Sequence, residues 1–359
     1  MTQRALATVD VAAIAANVAR LRRELEDGVR LCAVVKADAY GHGVAHAVAG
    51  TREGGAHWLA TATAVEAAEV REIAGPNPRI LVLGVTTREE AGIALDADAD
   101  LTVWDEGFLA SLPSSARVHV KLDSGMGRLG TRDADLATRL ADSAAERGML
   151  EGLTTHFATA DERGDAFFGE QLARFGAWVA PLRERHHEAI VHAANSAATL
   201  RDRAAHFDMV RPGVALYGLD PFGEDAAARE LRPALRLTSW VGAVKPVAPG
   251  QSAGYGRRFV AERDSVIATV PIGYGDGWRR ALTNNADVLI GGRRYPLVGT
   301  VSMDNITVDL GPDGGGVQVG DEVVLLGDDV SAEEIARRLG TINYEVTCGL
   351  LPRVPRVAV

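Results

Sequence analysis

Lys36 stands where a lysine is expensive to place. It follows the apolar run Leu31-Cys32-Ala33-Val34-Val35 and precedes Ala-Asp-Ala-Tyr-Gly-His-Gly. A lysine partly removed from water loses proton affinity and becomes a nucleophile. Such an amine suits a Schiff base with an aldehyde cofactor, of which pyridoxal 5'-phosphate (PLP) is the common one. The alternative is a side chain that lays its stem on apolar surface and pairs its amine with Asp38. Four more polar residues fall at or near the ends of short apolar runs: Lys121, His156, Asn195 and Arg211. A polar group at the end of a buried strand is costly unless it is paired or used. Any one of these reads as a satisfied rim residue. The five together read as a site.

The elements that would position them recur along the chain. LCAVVK (31–36), HWLATAT (57–63), RILVLG (79–84), LTVW (101–104), VHVKL (118–122), GLTTHF (152–157), AIVHAAN (189–195) and MVRPGVALYG (209–218) are short and apolar. Ala-, Glu- and Arg-rich stretches separate most of them, as in DADLATRLADSAAERG (133–148). Such alternation means parallel strands joined by crossover helices. Eight units in roughly 220 residues fit a closed (β/α)8 TIM-like barrel, whose chemistry sits at the C-terminal strand ends. An open doubly wound sheet uses the same units. A helix over 10–27 precedes the first run, with Asp10 as its cap. Beyond residue 220 the texture changes to β-rich segments split by glycine turns, such as ADVLIGGRRYPLVG and DEVVLLG. One helix interrupts them, opened by a Ser331/Glu334 capping box and ended at Gly340. These patterns predict an α/β barrel over 1–232 and a mostly β domain over 233–359.

Composition narrows the partners. The 359 residues are 47% hydrophobic and carry a net charge of −10. An acidic surface repels phosphate backbones, so no nucleic-acid partner is expected. Two cysteines without a CxxC argue against a disulfide framework and fit a reducing, cytoplasmic setting. The start MTQRALATVD has no charged and then apolar leader pattern, and no apolar run reaches membrane-spanning length. GMGRLG (125–130) satisfies GxGxxG, but Arg128 stands where close backbone approach is needed, so a dinucleotide site is a weak reading. HHEAIVH (186–192) is not HExxH. No catalytic metal is expected, and these histidines read as surface groups around a helix end.

AVVKADAYGHG (33–43) is similar to the PLP-lysine signature of the alanine racemase family. Further family-like segments follow in order: VKLDSGMGRLG (120–130), THFATAD (155–161), ANSAA (194–198), VRPGVALYG (210–218), SAGYGRRF (252–259), PIGYGDGWRR (271–280), GTVSMDNITVD (299–309) and INYEV (342–346). The resemblance runs from about residue 5 to residue 357. It implies an enzyme that interconverts L- and D-alanine with PLP and supplies D-alanine for peptidoglycan.

The same resemblance implies the roles. Lys36 carries the cofactor and serves one face of the substrate carbon. Tyr255, from the partner subunit of a homodimer, serves the other, with His156 and Arg211 as its relay. Arg211 also faces the pyridine nitrogen; its bland alternative is a rim arginine paired with Asp208. Tyr40, Ser196, Gly213, Val214 and Tyr344 resemble the phosphate-binding set, and Asn195 joins the cofactor site. Arg128 resembles the arginine on the phenolic oxygen and near the substrate, and Lys121 a lysine often carried as a carbamate. Met303 and Asp304 resemble the pair receiving the substrate carboxylate, with Ser302 where many members have cysteine. Tyr274 and Arg280 resemble residues of a narrow substrate entrance. Three rival readings stand beside this one: a racemase that also takes serine, a non-catalytic PLP-binding barrel, and a PLP barrel decarboxylase with a late catalytic cysteine. The β domain argues against the second. Cys348 lies in a racemase-like segment, which argues against the third.

Overall fold

The computed structural model describes residues 3–327 and 329–359. The chain divides into two compact units, one of Ala12–Phe222 with Glu230–Arg232, the other of Met1–Val11, Gly223–Arg229 and Pro233–Val359.

The first unit is a closed barrel of eight parallel strands. They are Arg30–Val34, Trp58–Thr61, Arg79–Val82, Ala99–Val103, Val118–Lys121, Leu150–Thr154, Ile190–His192 and Met209–Val210. The ring closes where Arg30 and Leu31 pair with Met209 and Val210. Most strand residues are buried on both faces, which is why they read as continuous apolar runs rather than alternating ones. All eight expected strands form. The last is far shorter than its apolar run, because Pro212 has no N–H to donate and Val214–Tyr217 turns into a 3-10 helix. The first helix is Val11–Arg22, also shorter than expected; the chain past Arg22 tightens into i→i−3 bonds at Glu24 and Leu25.

The second unit is built on a nine-stranded sheet. Its order is Ala243–Val247, Ser265–Val270, Ile306–Asp309, Arg293–Val298, Asp287–Ile290, Glu322–Leu326, Leu235–Trp240, Leu6–Val9 and Arg356–Ala358. Pro246 lies in the edge strand, where a missing donor does least harm. Leu6–Val9 pairs antiparallel with Leu235–Trp240 and parallel with Arg356–Ala358. It buries Ala7 and Val9 completely. The first eleven residues therefore fall in this unit, whereas the sequence reading placed them in the barrel. Four residues of alternating pattern carry no signal of which distant strand they will join. The helix Ala332–Leu339 forms, and Gly340 ends it in the left-handed region (φ 69°). Only one arm of its expected capping box is made: Ser331 accepts the Glu334 N–H. The Glu334 carboxylate instead pairs with Arg294 and Arg338, each at 2.8 Å.

Candidate active site

Lys36 opens the short segment Lys36–Gly41 directly after the first barrel strand. Its next four residues, Ala37, Asp38, Ala39 and Tyr40, all lie in the left-handed region, with φ between 50° and 56°. An L-residue there costs roughly 1–2 kcal/mol, and runs of them are rare. Local bonds hold the turn. Ala39 N–H donates to Val35 O, Val44 N–H to the Asp38 carboxylate at 2.8 Å, and Ala37 N–H to Glu66 at 2.7 Å. His42 stacks on Tyr217 at 4.5 Å, and Tyr217 donates its hydroxyl to Val34 O. Asp38 thus closes its own turn.

Lys121 ends the fifth barrel strand and is 8% exposed. Burial pushes its amine down to about 7, and the charges of Arg211, Arg128 and Lys36 add to the fall while Asp123 opposes it. Asp123 organises the loop that carries Arg128. Its carboxylate accepts the N–H groups of Gly125 and Gly127 at 3.0 Å and pairs with Arg132. No helix begins in this loop before residue 134, so GMGRLG lacks the helix that a dinucleotide fingerprint requires.

Arg211 is buried. One guanidinium nitrogen donates to His192 Nδ1 at 2.6 Å; the other donates to Thr155 O at 2.8 Å and Ala193 O at 3.0 Å, and faces His156 Nδ1 at 3.4 Å. Asp208, its expected structural partner, instead accepts from Val191 N–H and pairs with Arg183. Burial, then the charges of Arg211, Lys121, Arg128 and Lys36, holds His156 well below the usual imidazole range, so it is neutral. Arg211, Arg128 and Lys36 all bear on Lys121, with Asp123 opposing them, and such a gathering of cations suits an anion.

Tyr40, Ser196, Gly213 and Val214 also meet. Ser196 Oγ accepts the N–H groups of Gly213 at 2.8 Å and Ala215 at 3.3 Å. A Cβ on Gly213 would lie 2.2 Å from the Tyr40 hydroxyl oxygen, so only glycine leaves room for that phenol. Asn195 caps the helix Ser196–Arg201 by accepting the Ala198 N–H. These hydroxyls and turn amides suit a phosphate.

The second unit carries the remaining expected residues. Tyr255 sits between Gly254 (φ 75°) and Gly256 (φ 69°), and its carbonyl accepts the Thr300 hydroxyl at 2.6 Å. Tyr274 N–H donates to Ser302 O, and Gly275 N–H to Met303 O. Asp304 pairs with Arg353 at 2.9 Å, which also reaches Asp276. The Ser302 hydroxyl donates to Asn305 O and so closes its own turn. Tyr255, Tyr274 and Met303 belong to this connected set of turns and are 75%, 40% and 52% exposed. Arg280 is exposed, and Tyr344 lies half-buried in the helix Asn343–Cys348.

Sequence reasoning missed a buried column beneath Arg211. His192, read above as a surface group, is wholly buried at the end of the seventh strand. It meets His119, which meets Asp100. The available signal was an ionisable residue set among apolar neighbours in each of three buried strands. Among the described residues, no group of three or more His, Cys, Asp or Glu is placed to hold a metal ion, and no helix is long and apolar enough to cross a membrane.

Comparison with known proteins identifies the family. Residues 9–221 match the model of the alanine racemase N-terminal domain, and residues 234–358 that of the C-terminal domain. The chain is 40% identical to alanine racemase 2 of Caldanaerobacter subterraneus subsp. tengcongensis, over 97% of this chain and 93% of that protein. It is 41% identical to the alanine racemase of Listeria innocua, over 97% and 96%. Among solved structures, the alanine racemase from E. faecalis superposes with a TM-score of 0.91 at 38% identity, covering 99% of this chain and 98% of that one. The Streptomyces lavendulae enzyme superposes with a TM-score of 0.92 at 36% identity, covering 100% and 98%. With both domain models matched in order and this identity sustained along the chain, the protein belongs to the alanine racemase family.

Proposed function

We propose that this chain is a PLP-dependent alanine racemase, acting in the cytoplasm as a homodimer and supplying D-alanine for peptidoglycan. The observation that carries the reading is the cluster of Lys36, Lys121, Arg128 and Arg211 around the neutral His156. The residues present fit the cofactor: cations in excess of anions, and hydroxyls and turn amides gathered at Gly213. Lys36 would hold its aldehyde carbon, Arg128 its phenolic oxygen and Arg211 its ring nitrogen. Tyr40, Ser196, Gly213, Val214 and Tyr344 would hold its phosphate, with Asn195 supporting them. When bound, PLP supplies the electron-withdrawing ring that makes the α-proton of an amino acid labile.

The protein's own groups then move that proton. Inversion needs removal on one face and return on the other, which one rigid group cannot serve. The Lys36 amine takes one face and the phenol of Tyr255, from a second copy, the other. Exposure of Tyr255 and Met303 on the lone chain supports such sharing, since large exposed apolar groups mark contact surfaces. Arg211 keeps its own protons, so it holds the ring nitrogen unprotonated and discourages the spread of charge that transamination requires. Met303 and Asp304 would receive the substrate carboxylate region, and Tyr274 and Arg280 would narrow the entrance to small side chains.

The Lys121 amine, its proton affinity lowered by burial, can in its neutral form attack CO2: an N–C bond forms, one proton leaves, and the carbamate pairs with Arg128. The test is to purify the protein with PLP, record its visible absorbance, and follow circular dichroism of L-alanine and then L-serine. A coloured protein that inverts L-alanine is expected. A colourless one that refuses added PLP would overturn the reading.

A further inference from the structure

The barrel interior departs from the branched apolar packing usual in such folds. One line of polar groups crosses it. Asp100, His119 and His192 are each fully buried, and Arg211 is nearly so. Asp100 Oδ2 lies 3.2 Å from His119 Nε2; His119 Nδ1 lies 2.8 Å from His192 Nε2; His192 Nδ1 lies 2.6 Å from Arg211. Buried polar groups are retained only where partners satisfy them. Space is reserved for them too: a Cβ on Gly152 would land 2.3 Å from His119 Nδ1, so any side chain there would displace that ring.

The direction of every bond follows from one fact. A guanidinium only donates. His192 Nδ1 must therefore accept, which puts the His192 proton on Nε2. That N–H donates to His119 Nδ1, which puts the His119 proton on Nε2. That N–H in turn donates to the Asp100 carboxylate. Both rings are neutral and each has one permitted tautomer. Burial and the Arg211 charge hold His192 well below the usual imidazole range, in keeping with this. At the far end Asp100 is balanced by Arg79 and Arg117, each at 2.6 Å.

The line solves a specific problem. A carboxylate in direct contact would orient Arg211 but cancel its charge where that charge is needed. A neutral acceptor orients it and leaves the charge intact. We propose that His192 and His119 are positioning residues for racemisation: a tautomer-locked pair that fixes the Arg211 guanidinium while keeping the nearest carboxylate of the line two imidazoles away. This rests on the reading that Arg211 faces the cofactor's ring nitrogen.

Two measurements test it. With 15N-labelled histidine, NMR of the PLP-loaded protein should show His192 and His119 as neutral Nε2–H tautomers across neutral pH. A Nδ1–H tautomer or an imidazolium at His192 overturns the proposal, and this test needs no variant to fold. The second follows how often alanine is diverted. In diversion its amino group stays on the cofactor, one water is consumed and the keto acid leaves. His192→Leu should raise keto-acid release per racemisation about tenfold or more, the worth of one hydrogen bond to a charged group. His192→Gln, whose amide accepts from Arg211 and donates to His119, should restore the wild-type ratio. If Arg211→Lys shifts the ratio and His192→Leu does not, the histidine pair is refuted and the Arg211 reading stands. If neither shifts it, the Arg211 reading falls and takes the proposal with it.

Discussion

The carboxylate of Glu66 accepts the N–H of Ala37 at 2.7 Å, one residue past Lys36. Its other oxygen accepts the N–H groups of Ala62 and Thr63, completing a capping box on the helix Ala64–Ala74. One side chain therefore ties a helix start to the strained left-handed turn. Glu66→Ala should cost about 1–2 kcal/mol as a lost cap, read in a urea titration. It should also weaken PLP binding, because the turn that aims Lys36 loses an anchor. Unchanged PLP affinity in a folded Glu66→Ala protein would separate the cap from the site.

Gly213 is expected to tolerate no side chain. Alanine there must push the Tyr40 phenol aside, since the new Cβ would meet its oxygen at 2.2 Å and its ring carbon at 2.7 Å. Tyr40 has little freedom to yield: it lies at φ 56° with its ring 5.2 Å from Tyr217. Gly213→Ala should raise the Kd for PLP roughly 10–100-fold, the loss of one charge-assisted hydrogen bond, with far-ultraviolet circular dichroism unchanged. Equal affinity would remove Tyr40 from the phosphate set.

Much of this was legible because buried parallel strands write themselves as uninterrupted apolar runs, and a lysine or arginine ending such a run is conspicuous by its cost. Lys36, Lys121 and Arg211 stand out that way. The left-handed turn does not, because Ala-Asp-Ala-Tyr contains no glycine and its alanines favour ordinary helix; only surrounding contacts hold it. The strand Leu6–Val9 kept its partners hidden for a similar reason: its neighbours lie more than 200 residues along the chain. Asp100, His119 and His192 were hardest to see. Each sits in a different strand, Asp100 beside Thr102 and His119 beside Lys121, and only barrel closure brings the three into one line.

Tyr255→Phe tests the second proton carrier proposed above. The ring is largely exposed in the single chain, so stability should change by less than about 0.5 kcal/mol. Racemisation should fall roughly 10²–10⁴-fold, the usual worth of a positioned acid or base, while one alanine enantiomer still exchanges its α-proton with solvent through Lys36. Mixing this variant with Lys36→Ala chains tests sharing between subunits. A mixed dimer holds one intact site only if Tyr255 serves the other copy, so activity should return on mixing; no recovery would confine Tyr255 to its own chain.

Lys121 gives a pH signature of known sign. Its amine in the fold titrates at about 7, against 10.5 ordinarily. Between those values the unfolded chain holds a proton that the folded chain does not, so stability rises with pH across that window. Below about 7 both states are protonated and the full burial penalty stands. Lys121→Met should therefore stabilise the cofactor-free, CO2-free protein most at acid pH, with its advantage shrinking as pH climbs from about 7 towards 10.5. Added bicarbonate should stabilise wild type and leave Lys121→Met unmoved, increasingly so above neutrality, because only the neutral amine can form a carbamate. Urea titrations of both proteins at several pH values, with and without bicarbonate, decide it. A constant difference between them would show that Lys121 keeps its ordinary pKa in the fold.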